Sequence, residues 1–107
     1  MQKYNVIVSQ RAADMLKEHI AFIATVNKNA AKNTKARLID AFNSLEEMPN
    51  RFPFFNEECI TPNKYHKMYV ENWYLVLYQI KDTDVFIDYV LDCRQDYDWL
   101  IKGAVKK

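Results

Sequence analysis

Three closely spaced runs of apolar residues between residues 65 and 91 place the strongest constraint on the fold. The runs cover residues 65–70, 73–80 and 85–91, and they are rich in Val, Ile, Tyr, Phe and Trp. These residue types suit a pleated, packed surface. The short polar breaks between the runs have the length of hairpin loops. The pattern therefore predicts a three-stranded antiparallel meander, with the almost wholly apolar run 73–80 as its central strand.

The first half of the chain predicts one strand followed by two helices. Residues 3–8 alternate as a strand does, and Ser9 then offers an N-cap for a helix reaching Val26. We expect residues 27–29 to turn the chain into a second helix over residues 30–48, which Pro49 stops. Both helices carry an apolar stripe at helical spacing. They therefore form a helical hairpin, and the sheet is its natural partner.

The remaining segments complete an α+β prediction for a single domain over residues 1–107. Residues 49–64 form an irregular connection, anchored by Phe52, Phe54 and Phe55. After the last strand we expect one or two helical turns that end at Gly103. The predicted order is β-α-α-β-β-β-α, a helical hairpin packed on one face of a small, mostly antiparallel sheet. The other face is expected to stay partly open, and an exposed apolar face with an edge strand predicts a partner chain.

Composition excludes several classes of function. The net charge of +1 argues against broad nucleic-acid coating but allows a local basic patch. No run of about 18 apolar residues is present, so no membrane span is expected. With no visible secretory signal, and with Cys59 and Cys93 interpreted as free thiols, we expect a cytoplasmic protein. A single glycine precludes a nucleotide-binding loop, and the motifs of metal sites and serine hydrolases are missing, so no cofactor is predicted.

Alternation along residues 65–70 places a cation between two phenols. The side chains of Tyr65, Lys67 and Tyr69 are expected on the open face of the sheet, and His66 on the face that packs against the helices. An open face with this composition can bind a phosphate and stack a base.

Further candidates for the same site lie outside this strand. Arg94 and Tyr97 follow the last strand at a spacing that puts both on one face of a helical turn. Arg51, Lys64 and His66 are additional candidates, the first two because of their charge and His66 because an imidazole can transfer protons. The alternative is that these residues make ordinary surface cation–π contacts and keep an edge strand soluble.

Two other features have structural interpretations. His19 lies within the apolar stripe of the first helix, where a buried, hydrogen-bonded histidine is the expected role. Lys28, Lys32, Lys35 and Arg37 open the second helix, where they form either a phosphate contact or a solvated helix face. Positive charge at a helix N-terminus opposes the helix dipole.

Taken together, the order and spacing of these segments resemble the RelE/ParE superfamily of bacterial type II toxin–antitoxin toxins. The segments that carry the resemblance are residues 4–9, 12–16, 41–49, 65–68, 73–80, 85–87 and 90–97. The resemblance implies a small sheet with a helical hairpin and an antitoxin partner whose segment wraps the toxin. It also implies one of three activities: mRNA cleavage in the ribosome, inhibition of DNA gyrase without a hydrolytic site, or an inactive member that only binds its antitoxin.

The resemblance also assigns roles to candidate residues for a nuclease. Arg94 falls on a functional position of the family, and Tyr97 is a looser match to its C-terminal aromatic residue. His66 stands where the family commonly has an arginine, and Val70 where it often has a basic residue. In such a nuclease, Arg94 and Lys67 would stabilise the phosphate charge, and Tyr97 or His66 would transfer protons. Substrate would be bound by Lys64, Arg51 and Tyr65.

Overall fold

The computed structural model describes residues 3–56 and 62–93, and within them it shows the predicted α+β architecture. The sheet order is β1-β4-β3-β2, with β1 parallel to β4 and the other neighbours antiparallel. The predicted meander is confirmed, and the expected helical turns before Gly103 lie outside the described residues. The elements are β1 (Asn5–Val8), α1 (Gln10–Ala24), α2 (Lys28–Ser44), a 3₁₀ turn (Pro49–Arg51), β2 (His66–Val70), β3 (Tyr74–Lys81) and β4 (Asp84–Asp92).

The helices begin where side-chain caps allow. Ser9 caps α1 as predicted, because its Oγ accepts the N–H of Ala12 at 3.0 Å. Helix α2 starts at Lys28, two residues before the predicted start, because the Asn27 side chain accepts the N–H of Ala30 at 3.0 Å. In the described part of the chain, neither helix is long and apolar enough to cross a lipid bilayer.

Helix α2 ends at Ser44, four residues before the predicted end at Met48. The Leu45 N–H bonds to the Phe42 carbonyl at 3.1 Å, a tightened three-residue turn. Pro49 then disfavours helical geometry at Met48, which adopts a left-handed conformation with φ of 49°. The predicted stop at Pro49 is thus reached through a short non-helical segment.

One apolar core fills the space between the helices and the sheet. The inward side chains of the strands alternate with outward ones, as the pleat requires. Tyr78, which is fully buried, anchors the 3₁₀ turn by donating its hydroxyl hydrogen to the Pro49 carbonyl at 2.6 Å. The buried members of this core are Ala12, Leu16, Leu38, Phe42, Leu45, Met68, Val70, Tyr74, Val76, Tyr78, Val85, Ile87 and Val90.

A second apolar cluster lies on the opposite face of the sheet, where the sequence predicted an open surface. It consists of buried residues from the connection before β2 and from β3 and β4, each 8% exposed or less. The prediction of an open face is therefore wrong over this area. Phe55 is one of the predicted anchors and is buried here, whereas Phe52 is half-buried and Phe54 is exposed. The members of the cluster are Phe55, Tyr65, Leu75, Leu77, Tyr89 and Leu91.

Helix α1 and its N-cap contact the part of the β4 edge that β1 leaves unpaired. Strand β1 pairs only with the first part of β4, ending at the pair Val8 and Ile87. Beyond it, the Ser9 hydroxyl lies 3.5 Å from the Asp88 carbonyl, and His19 Nε2 lies 2.8 Å from the Val90 carbonyl. Because a carbonyl only accepts, Nε2 must carry the hydrogen. The predicted buried, hydrogen-bonded role of His19 is confirmed.

Replacing His19 by Leu should therefore destabilise the fold. The substitution keeps apolar bulk but leaves the Val90 carbonyl without its donor, which costs about 1–3 kcal/mol. Urea unfolding followed by circular dichroism measures the change. Phe22→Leu on the same helix, at an exposed side chain, is the control and should change stability little. Equal stabilities of His19→Leu and the wild type would contradict the role given to this hydrogen bond.

Candidate functional site

The candidate residues of β2 separate onto opposite faces of the sheet. His66 packs in the helix-side layer, next to Met68 and Val70, as alternation predicted. Tyr65 lies in the cluster on the far face, and Lys67 on the far face is half-buried. Arg94 and Tyr97 lie outside the described residues.

His66 contacts the connection that precedes β2 through a hydrogen bond and a ring contact. Its Nδ1 donates to the Phe52 carbonyl at 2.7 Å. Its ring lies 4.2 Å from the Phe54 ring and stacks on the Tyr78 ring at 5.3 Å. Only 8% of the residue is exposed. The imidazole is therefore engaged on both faces and at one nitrogen by the chain itself.

Tyr65 was expected on an open face, but it is buried. Only 4% of the residue is exposed, and its ring meets the Tyr89 ring edge-on at 5.8 Å. The Phe55 N–H donates to the Tyr65 carbonyl at 2.7 Å, which brings Phe55 over this part of the sheet. Burial raises the pKa of the Tyr65 phenol, and the nearby Asp88 carboxylate raises it further. The phenol is accordingly a neutral group and not a base near pH 7.

Lys64 and Lys67 bring positive charge to the far face. Lys64 Nζ lies 5.4 Å from the centre of the Tyr65 ring, and Lys67 Nζ lies 6.0 Å from that of Phe55. Tyr69, on the same face of β2, is 55% exposed. We call Lys64, Lys67 and Tyr69 the β2 cationic face. Its lysines make the cation–π contacts that the sequence offered as an alternative, and they remain able to bind an anion.

Arg51 caps the C-terminal end of α2. Its Nη1 donates to the carbonyls of Glu47 at 2.6 Å and Met48 at 3.1 Å, and more weakly to that of Ser44 at 3.4 Å. Its guanidinium also lies over the Phe52 ring, 4.6 Å from the centre. A cation at this end of a helix satisfies unpaired carbonyls and complements the dipole. The geometry thus gives Arg51 a structural role that sequence alone did not indicate.

An apolar groove of about 480 Å³ lies between the two helices. Two apolar side chains at its edge, Val8 and Ile39, are 39% and 38% exposed. Sequence reasoning missed the groove because the apolar stripe predicted for α2 omits Ile39. That stripe consists of Ala31, Thr34, Leu38, Ala41, Phe42, Leu45 and Met48. Ile39 directly follows Leu38 in sequence, and this adjacency indicates that α2 has a second apolar face. The groove is lined by Val8, Ala13, Leu16, Lys17, Ile20, Ala21, Lys35, Ile39 and Phe42.

The outer edge of β1 lies beside this groove, because Val8 belongs to both. The N–H groups of Asn5 and Ser9 donate to the carbonyls of Thr83 and Ile87, each at 2.9 Å, so they face β4. Alternation turns the N–H groups of Val6 and Val8 away from β4. Because β1 is an edge strand of the described sheet and pairs there only with β4, these two groups have no partner strand within the described residues. An extended segment can pair with such an edge.

Comparison with known proteins assigns the class. A family model described as the ParE toxin of the type II toxin–antitoxin system, parDE, matches residues 6–97. The chain therefore belongs to the ParE toxin family of type II toxin–antitoxin systems, as the sequence resemblance implied.

A solved structure supports the fold. A chain of the chromosomal ParDE TA system from P. aeruginosa is similar to this one, with a TM-score of 0.69 and 13% sequence identity. The match covers 84% of this chain and 96% of that chain. Among curated proteins, no sequence matches.

Replacing Arg51 by Met should lower stability and leave any toxic activity of the folded protein unchanged. The variant keeps the aliphatic stem but loses the donors to the end of α2, at a cost of about 1 kcal/mol. Thermal unfolding measures the loss, and growth inhibition at a temperature where the variant is folded measures activity. Loss of inhibition with unchanged stability would instead place Arg51 in substrate binding.

Proposed function

We propose that this chain arrests bacterial growth and that a segment of its antitoxin silences it by filling the groove between α1 and α2. The observation that carries the proposal is an exposed apolar groove adjoining Val8, which lies on the edge strand of the sheet formed by the described residues. A partner segment that runs from helix to strand would satisfy both surfaces at once. Family membership supports a partner of this kind.

The composition of the groove supports a helical occupant. Small side chains at Ala13 and Ala21 leave space between the helices, and Ile20 and Ile39 offer apolar walls. An amphipathic helix placing an apolar stripe in such a groove would remove these side chains from water, at roughly 25 cal/mol per Å² of apolar surface buried. Free toxin would leave this surface exposed, which favours tight association with its partner.

As the mechanism, we propose binding of a protein target, and DNA gyrase is the target that the family resemblance offers. A nuclease needs a charge-stabilising group and a proton-transfer group at one phosphate. Here His66 and Lys67 lie on opposite faces of the sheet, and Tyr65 is a buried phenol. Strand β2 therefore does not bring His66 and Lys67 to one phosphate, while Arg94 and Tyr97 lie outside the described residues.

Ribosome-dependent mRNA cleavage is the second candidate function, and the β2 cationic face favours it. Lys64 and Lys67 place two ammonium groups near aromatic rings, an arrangement that suits a phosphate with an adjacent base. Under this mechanism Arg94 and Lys67 stabilise the phosphate charge, and Tyr97 transfers the proton.

An acidic residue in the groove should separate toxicity from neutralisation. Ile39→Glu should still inhibit growth but should no longer be neutralised by the antitoxin, because a carboxylate replaces an apolar contact. Co-expression with the antitoxin and a growth assay measure both effects. Val26→Glu, at a residue 85% exposed and outside the groove, is the matched control and should stay neutralised. Neutralisation of Ile39→Glu as complete as that of the wild type would place the antitoxin elsewhere.

Purified components should distinguish the two mechanisms. We expect the protein to trap gyrase-linked DNA breaks and to leave ribosome-bound mRNA intact, and we expect Arg94→Ala and Lys67→Gln to retain toxicity. Ribosome-dependent mRNA cleavage that either substitution abolishes would establish the nuclease instead. A protein that binds antitoxin but produces neither effect would be an inactive family member.

A further inference from the structure

Three lysines form a stripe along the exposed side of α2. Lys28, Lys32 and Lys35 are spaced by four and three residues, which puts them on one face of the helix over about 10 Å. All three are exposed. We call them the lysine stripe.

The lysine stripe lacks compensating charge. Within residues 3–56 and 62–93, none of the three lysines makes an ion pair, whereas neighbouring Arg37 pairs with Glu71 at 3.0 Å. The first turn of α2 contains no acidic residue. The stripe also begins at the positive end of the helix dipole, which costs some tenths of a kcal/mol per charge. A bound anionic partner would offset this electrostatic cost, which a solvated face leaves in place.

The stripe runs directly into the apolar groove. Lys35 lines the groove itself, and Ile39, one turn further along, is the next residue of the same row. Lys17 of α1 lines the groove as well. The surface of the groove therefore carries both apolar side chains and ammonium groups.

We propose that the lysine stripe, with Lys17, selects the segment that occupies the groove by requiring carboxylates beside its apolar stripe. This inference rests on the proposed docking of an antitoxin segment and adds the chemistry that identifies it. A helical occupant would place apolar side chains between Ile20 and Ile39 and carboxylates over Lys17 and Lys35. Its next carboxylates, at helical spacing, would meet Lys32 and Lys28.

A peptide fits this surface better than a nucleic acid does. Phosphates would satisfy the lysines but would leave the apolar walls exposed, whereas an acidic amphipathic helix satisfies both. Attraction between exposed charges accelerates encounter and weakens as salt shortens the screening length. The lysines therefore act on partner choice and association rate, and the groove supplies the contact area.

Two matched peptides test the inference on the full chain. One is an amphipathic helix of about 16 residues, with leucines on one stripe and glutamates on both flanks. The other has glutamine at every glutamate position. Fluorescence anisotropy at about 0.05 M and about 0.5 M NaCl measures the affinity for each. We expect the glutamate peptide to bind at least about fivefold more tightly at low salt, and the difference to shrink at high salt.

Charge reversal at single lysines supplies the controls. Lys35→Glu should erase the preference for the glutamate peptide while keeping affinity for the glutamine peptide. Lys81→Glu makes the same charge change at an exposed residue outside the groove and should keep the preference. Ile39→Glu should weaken the binding of both peptides.

The outcomes separate this inference from the proposed docking. Equal affinity for the two peptides, with loss of both in Ile39→Glu, would keep the groove and overturn the role of the lysines. If neither peptide binds the wild type, both proposals fail. Binding of a duplex DNA that Lys35→Glu abolishes, with equal affinity for the peptides, would assign the lysines to phosphates and overturn selection by carboxylates.

Discussion

The fold depends on how the uncovered edge of β4 is satisfied. Strand β1 ends at Val8, yet β4 continues to Asp92, so the later carbonyls of β4 need donors from elsewhere. His19 supplies one to Val90 from the buried side of α1. This contact fixes α1 along the sheet, and α2 follows because the two helices are joined by a short turn. The position of the groove between the helices is therefore a consequence of a short first strand.

Local signals predicted most of the elements, and non-local contacts decided the rest. The cap at Ser9 and the three β-rich runs are local, and both were correct. The burial of Tyr65 depends on Phe55, which arrives from an irregular connection that no periodicity describes. The predicted start of α2 was wrong by two residues because residues 27 and 29 are both asparagine, and either can cap a helix.

The candidate site was harder to predict for a chemical reason. Arg51, His66 and Tyr78 carry donors and rings that suit catalysis, but here they satisfy carbonyls of the connection at residues 44–52. An irregular segment has no ladder partners, so it recruits the same side chains that an active site would use. Residue type therefore identified side chains that are capable of catalysis. It could not show whether these side chains act in catalysis or hydrogen-bond to backbone carbonyls. The groove was hard to predict for a different reason. The apolar side chains that line it, such as those of Ala13 and Ile39, carry no reactive or charged group that would mark a binding site.

The parallel pairing of β1 with β4 has a consequence for synthesis. Asn5 near the start of the chain lies beside Asp84, and their side chains bond across 79 residues of sequence. During translation, β1 has no sheet neighbour until β4 has left the ribosome, because vectorial synthesis delivers its partner last. The sheet of the nascent chain therefore stays incomplete until β4 has emerged.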